Sequence, residues 1–151
     1  MARQHIEKTA TTTADAATVY ALLRDGASYP TWSPIESFEL EREGQGEREG
    51  IGAVRVFRSG KVTGRDTIAE LVENRRLAYT HESSLPVKHY RASVDLTPID
   101  GGTEIRWVSE FDPKIPGTGA LMRRGLDKFI AGMTEGLAAH ATQLATDQAA
   151  A

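Results

Sequence analysis

The sequence contains no cysteine, which excludes disulfide bonds and thiolate metal sites and fits a reducing compartment. It also lacks any apolar run that approaches the ~20 residues a membrane span needs. No excess of one charge is present, because 18 basic and 21 acidic residues are interleaved and leave a formal net charge of −3. We therefore expect no nucleic-acid partner. Residues 1–13 are polar and lack the apolar segment of a secretory signal, so a cytoplasmic protein is the expectation.

The last third of the chain carries apolar residues at spacings of three and four, which predicts one long amphipathic helix. The helix would span 116–146, roughly 45 Å at 1.5 Å per residue. An alanine-rich tail at 146–151 is expected to fray. Glycines 125, 132 and 136 lie on one edge of the apolar stripe and predict either close packing or room for a bound molecule. The stripe consists of Met122, Leu126, Phe129, Ile130, Met133, Leu137, Ala141 and Leu144.

The part of the chain before this helix alternates between apolar and polar residues, which is typical of strands. The strands are separated by short turns such as Asp100-Gly101-Gly102, so neighbouring strands should pair antiparallel. A first short helix should begin at Thr13 or Asp15, either of which can cap it, and the segment 29–34 predicts a tight turn or a second short helix. The predicted strands are 4–12, 35–41, 51–59, 61–72, 77–84, 88–98 and 103–112. A sheet of this width would wrap around the long helix in one domain, 1–151.

The alternation also assigns the faces of the strands. On strand 61–68 the threonines and Arg65 form the better solvent face, so Asp66 should point inward. On the next strand, His81 shares the inward face with Tyr79. The pattern breaks after Ile68, which predicts a bulge. Strand 51–59 stays ambiguous between two inward sets: Val54 and Val56, or Ala53, Arg55 and Phe57.

Large aromatic and thioether side chains on the inward faces are candidates to line an apolar cavity with polar tips. For Trp107 and Phe129 a plain core role is the favoured alternative. Tyr79 and Tyr90 are stronger candidates, because a buried phenol needs a hydrogen-bond partner that a ligand oxygen can supply. The candidate ligand-binding residues are Trp32, Tyr79, Tyr90, Trp107, Met122, Phe129 and Met133.

Asp66 and His81 form a pair that resembles acid/base machinery. A neutral histidine oriented by a carboxylate could remove an activated α-proton, and a tyrosine could hold the resulting enolate. The alternative is a purely structural hydrogen bond. The remaining histidines, His5, His89 and His140, are scattered along the chain, so no metal site and no cofactor are expected.

Several segments carry a family resemblance: ADAATVYALLRD at 14–25, YPTWS at 29–33, IAEL at 68–71, RRLAY at 75–79 and GGTEIRW at 101–107. They resemble the SRPBCC superfamily and, more narrowly, its polyketide cyclase/dehydrase and lipid-transport (START-like) family. The resemblance implies an α+β helix-grip fold, in which a seven-stranded antiparallel sheet curls around the last helix and two short helices follow the first strand. Trp32, Trp107 and the Gly-Gly-Thr turn match fold markers of that family.

Members of this family bind or transform lipids, steroids and aromatic polyketides. The resemblance therefore implies a cavity between sheet and C-terminal helix that binds a hydrophobic small molecule. One alternative is a polyketide cyclase or dehydratase that uses His81, Asp66 and a tyrosine. Another is a protein-interaction module whose cavity is filled. The expected partner is a hydrophobic ligand, and the protein could be a monomer or a homodimer.

Overall fold

The structure is a computed structural model that describes residues 3–150, so residues 1, 2 and 151 of the expected domain and tail lie outside it. Two helices follow the first strand, α1 (Ala16–Arg24) and α2 (Tyr29–Trp32), separated by a single 3-10 turn. A long helix, α3 (Gly119–Ala150), follows the last strand. The strands are β1 (Gln4–Thr12), β2 (Ser37–Arg42), β3 (Val54–Ser59), β4 (Val62–Val72), β5 (Arg76–Ser83), β6 (Val87–Ile99) and β7 (Gly102–Pro113).

The seven strands form one antiparallel sheet in the order β1-β7-β6-β5-β4-β3-β2. Every neighbouring pair except β1 and β7 is also consecutive in sequence, and all of these connections apart from the loop 43–53 between β2 and β3 are short turns. Helix α3 packs against β1 and β7, and α1 and α2 pack against α3. The helix therefore lies toward one side of the sheet and leaves space in front of β3, β4 and β5. This arrangement confirms the predicted helix-grip fold.

Local sequence explains where the first helix begins. The Asp15 side chain accepts a hydrogen bond from the Thr18 backbone N–H at 2.9 Å, so Asp15 is the cap of the two candidates. Val19 and Leu23 are fully buried and fix the inner face of α1. The bulge predicted after Ile68 is confirmed, because the register between β4 and β5 shifts between Ile68 and Glu70.

Helix α3 differs from the prediction at both ends. It begins at Gly119 rather than at residue 116, because Gly117 adopts φ = 85°, a left-handed conformation that a right-handed helix does not tolerate. At the other end, residues 146–150 continue the helix instead of fraying from it. No proline or glycine follows Gly136 to stop the helix, and alanine favours it. Within residues 3–150, no helix is long and apolar enough to cross a membrane.

Candidate functional site

A cavity of about 320 Å³ lies between the concave face of the sheet and the first half of α3. Its wall includes Phe57 from β3, Tyr79 from β5 and Met133 from α3. The cavity is open at the end where the β3–β4 and β5–β6 turns meet the start of α3. There, Leu121 lines the cavity although 62% of its surface is exposed. The volume falls within the range of about 300–1,000 Å³ that small-molecule sites occupy.

Six of the seven predicted ligand-binding residues lie on the cavity wall. They are Tyr79, Tyr90, Trp107, Met122, Phe129 and Met133. Trp32 is the exception, because it is buried behind the wall with its ring against Tyr29, at 4.5 Å between ring centroids. Its indole N–H donates to the Ser28 hydroxyl at 3.0 Å, which closes the α2 turn. The prediction for Trp32 therefore needs correction, since α2 turns this side chain into the core.

The wall also contains residues outside the predicted list, among them Tyr29, Ile35 and Phe57. The Tyr29 and Phe57 rings stack at 4.6 Å, which couples α2 to β3. Phe57 belongs to the strand whose inward face stayed ambiguous. The signal that could have resolved it was charge, because an inward Asp66 needs a nearby cation and Arg55 belongs to the same alternative as Phe57.

Asp66 and His81 are directly opposite each other on β4 and β5. His81 Nδ1 and Asp66 Oδ1 are 2.5 Å apart, and both residues line the cavity. Because an ionised carboxylate can only accept, Nδ1 is the donor to it, and in the neutral tautomer of His81 that fits this bond Nε2 is the acceptor. Gly64 makes room for the ring, since a Cβ at this position would collide with His81 Cε1.

Arg55 lies on β3 directly opposite Asp66 and is fully buried. Its Nη1 donates to the Leu23 carbonyl at 2.9 Å and to Glu49 Oε1 at 3.2 Å, and its Nη2 donates to the Tyr29 hydroxyl at 3.1 Å. Burial alone would lower the pKa of Arg55, but nearby charges, including Asp66 and Glu49, raise it on balance. The sequence predicts a solvated loop at 42–50. Glu49 is an exception, because its side chain points inward and pairs with Arg55.

Two of the three phenols on the wall, those of Tyr79 and Tyr90, are held in the protonated state. Burial raises the pKa of Tyr79 well above its usual value, and the Asp66 charge adds to the effect. Burial likewise raises the pKa of Tyr90 to about 12. The Tyr79 hydroxyl accepts a hydrogen bond from Trp107 Nε1 at 3.2 Å, so its own proton remains available to donate. The cavity thus offers the phenolic donor of Tyr79 together with the imidazole of His81.

The other histidines lie away from the cavity wall. His89 is exposed and hydrogen-bonds Asp112 at 2.9 Å, whereas His5 is exposed on β1. His140 is half-buried on α3. Across the described residues 3–150, no three histidine, aspartate or glutamate side chains come together in a way that could hold a metal ion.

The fold and the cavity define the class, a helix-grip protein with an apolar chamber between sheet and helix. More narrowly, the chain belongs to the family described as polyketide cyclase / dehydrase and lipid transport, whose model matches residues 3–142. No curated protein matches the sequence.

Solved structures of similar fold come from distant relatives. A START superfamily protein from Mycobacterium smegmatis is 15% identical, with 93% of this chain and 98% of that chain covered and a TM-score of 0.79. The Zhui aromatase/cyclase from Streptomyces sp. R1128 is 21% identical, with 93% and 94% covered and a TM-score of 0.71. The ginseng major latex-like protein 151 from Panax ginseng is 16% identical, with 91% and 97% covered and a TM-score of 0.70. At these identities the likeness is one of fold.

Proposed function

We propose that this protein binds a hydrophobic small molecule, lipid-like or aromatic polyketide-like, in the cavity between the sheet and α3. The observation that carries the proposal is the cavity itself, about 320 Å³ with a predominantly apolar wall and a few polar groups among its lining. Small-molecule sites combine a wall of this kind with a few placed polar groups. The family to which the chain belongs, described by its cyclase, dehydrase and lipid-transport members, supports the same class of ligand.

The wall also favours certain features in the ligand. Phe57, Tyr90 and Trp107 supply aromatic surface that suits flat or branched apolar groups. His81 Nε2 offers an acceptor and the Tyr79 hydroxyl offers a donor. An apolar molecule with a hydroxyl and a carbonyl group would satisfy both, and a pure hydrocarbon would leave them unpaired at a cost in affinity.

A cavity-filling variant tests the proposal. Gly125 lines the cavity, and a Cβ built there has open space around it, so Gly125→Leu places a side chain in the cavity without a clash at Cβ. The matched control is Glu135→Leu, on the exposed side of the same helix. The readout is the fluorescence of the neutral probe N-phenylnaphthylamine.

We expect saturable binding by the natural chain and by Glu135→Leu. Gly125→Leu should bind roughly tenfold more weakly, because the leucine displaces apolar contact area from the probe. Circular dichroism confirms that each variant is folded. Absence of saturable binding in the natural chain would contradict the proposal, and so would equal affinity in Gly125→Leu.

The hydrogen bond between His81 and Asp66 at the cavity wall favours a second candidate, a cyclase or dehydratase. His81 Nε2 would take an α-proton from a poly-β-ketone, and the Tyr79 hydroxyl would donate to the enolate oxygen. The enolate carbon would attack a distant ketone of the same chain, and the protonated His81 would return its proton to the resulting alkoxide, which becomes a hydroxyl. In the dehydration that follows, His81 would take the remaining proton of the attacking carbon and deliver it to that hydroxyl, which leaves as water while the C=C bond forms.

His81→Gln separates the two candidates. Under the enzyme reading it lowers turnover of a poly-β-ketone thioester at least about 100-fold and leaves probe affinity nearly unchanged. Equal product formation with and without the natural chain would exclude this reaction and leave the binding role standing. The third alternative, an interaction module, requires a filled cavity, and the open volume argues against it.

A further inference from the structure

The open end of the cavity carries a surface that, apart from Leu121, lies outside the cavity wall. Three connections meet there: the β3–β4 turn, the β5–β6 turn and the loop 114–118 before α3. The Lys114 N–H donates to the Pro86 carbonyl at 2.9 Å and ties the loop to the β5–β6 turn. We define the mouth surface as Lys61, Lys114, Ile115, Leu121, Arg124 and Lys128.

The two most exposed large hydrophobic residues of the described chain lie on the mouth surface. Ile115 is 52% exposed and Leu121 is 62% exposed, more than any other large hydrophobic residue within 3–150. Leu121 also lines the cavity, so this apolar surface is continuous with the apolar wall inside. Side chains in such a position are stabilised when they enter another apolar phase at the mouth.

The same surface carries uncompensated positive charge. Within the described part of the chain, Lys61, Lys114, Arg124 and Lys128 are all exposed and none of them forms an ion pair, in contrast to most arginines of the sheet. Of the nearby acids, Asp127 pairs with Lys8 at 2.8 Å on the β1 side of α3, and Glu36 Oε1 accepts a hydrogen bond from the Gly60 N–H beside Lys61. The mouth is therefore cationic although the whole chain has a net charge of −3.

We propose that the mouth surface docks onto an anionic lipid surface, with Ile115 and Leu121 entering the headgroup region and the four cations contacting lipid phosphates. Cations around exposed apolar side chains are the combination that binds such a surface. Docking in this orientation places the open end of the cavity against the bilayer, so an apolar ligand can pass between the two without crossing water. The docking goes beyond the ligand-binding proposal and is measured without a ligand. A negative result for one proposal therefore leaves the other unaffected.

Vesicle co-sedimentation at low salt tests the docking. The vesicles are phosphatidylcholine alone or phosphatidylcholine mixed with phosphatidylglycerol. The variants at the mouth are Ile115→Ser and Lys114→Gln, neither of which lines the cavity. The matched controls are Ile99→Ser and Arg75→Gln, exposed residues at the opposite end of the sheet.

We expect the natural chain to bind the phosphatidylglycerol vesicles and not the neutral ones. Lys114→Gln should weaken that binding roughly fivefold, and added salt should weaken it further. Ile115→Ser should weaken it severalfold, and the two controls should leave it unchanged. Thermal unfolding verifies that each variant is folded.

Three results would overturn the proposal. The first is no binding to anionic vesicles at low salt, and the second is an equal loss in the control variants. The third is binding to soluble polyglutamate as tight as to the vesicles and insensitive to Ile115→Ser, which would identify the mouth as a site for an acidic protein.

Discussion

Arg55 is the residue on which the polar part of the cavity depends. It is fully buried on β3, directly opposite Asp66 on β4, and it hydrogen-bonds Glu49, Tyr29 and the Leu23 carbonyl. A buried cation of this kind holds several elements in one arrangement, because each buried partner would lose its hydrogen bond or its opposite charge if it moved away. Arg55 thus fixes the position of the cavity wall near His81, although Arg55 does not itself line the cavity.

Replacement of Arg55 tests this role. Arg55→Met should reduce the free energy of unfolding by about 3–5 kcal/mol, because it leaves buried or half-buried carboxylates without their cation. Arg58→Met is the matched control on the same strand, where Arg58 pairs with Glu39 at the surface, and it should change stability by less than about 0.5 kcal/mol. Urea denaturation measures both. Equal losses in the two variants would contradict the role of Arg55.

Ionisation of Tyr90 should make the protein less stable at alkaline pH. Burial raises its pKa from 10.0 to about 12, so the folded chain keeps a phenolic proton that the unfolded chain releases between these values. Unfolding then releases a proton, and stability falls as pH rises above 10. The two-unit shift corresponds to a loss on the order of 3 kcal/mol when pH 12 is reached.

Tyr90→Phe should therefore reduce the fall in stability between neutral and strongly alkaline pH. Part of the fall should remain, because burial also raises the pKa of Tyr79. Urea denaturation at a series of pH values measures the difference. The same alkaline loss in Tyr90→Phe and the natural chain would show that Tyr90 does not keep its proton in the folded state.

At the scale of elements, α3 uses its glycines in two different ways. A Cβ at Gly136 would collide with the Trp32 carbonyl oxygen, and a Cβ at Gly132 would press on Pro34 at 3.1 Å. These two glycines let α2 approach the helix closely. Gly125 has open space instead and lies on the cavity wall. The sequence predicts either close packing or room for a bound molecule. Close packing applies to Gly132 and Gly136, and room for a ligand applies to Gly125.

Alanine substitutions separate these uses. Gly136→Ala should destabilise the fold by about 1–3 kcal/mol, because α2 must move away from α3. Gly125→Ala should stabilise it by up to about 1 kcal/mol, because alanine is the better helix former and meets no neighbour. Thermal unfolding of both variants gives the comparison. A stabilising Gly136→Ala would contradict the close packing of α2.

The elements themselves were largely predictable, and the reasons lie in their periodicity. Alternation located all seven strands within a few residues, and the break after Ile68 located the bulge. It could not orient β3, because residues of both its faces are buried: Val56 is 2% exposed and Phe57 is 7% exposed. Alternation therefore does not decide whether Arg55 and Phe57 point inward, and the interleaved charges of 42–50 predict a solvent-exposed Glu49. Trp32 was misplaced because the direction of a four-residue helix depends on its packing.

At the scale of the whole molecule, the two ends of the sheet differ. At one end, Asp15 caps α1 just after β1, and Asn74 and Gly101 turn the hairpins with positive φ. At the other end, the cavity opens between two turns and the start of α3. Helix α1 produces this difference, because it follows β1 at the first end and packs there against β5, β6 and α3.

The central claim is that the cavity holds a hydrophobic molecule, and native mass spectrometry of the purified protein tests it most directly. The spectrum is recorded once under native conditions and once after denaturation. We predict that the natural chain carries an additional apolar mass that denaturation removes, and that Gly125→Leu carries less of it. A native spectrum that shows only the bare chain, even after incubation with lipid extract and aromatic polyketides, would contradict the account.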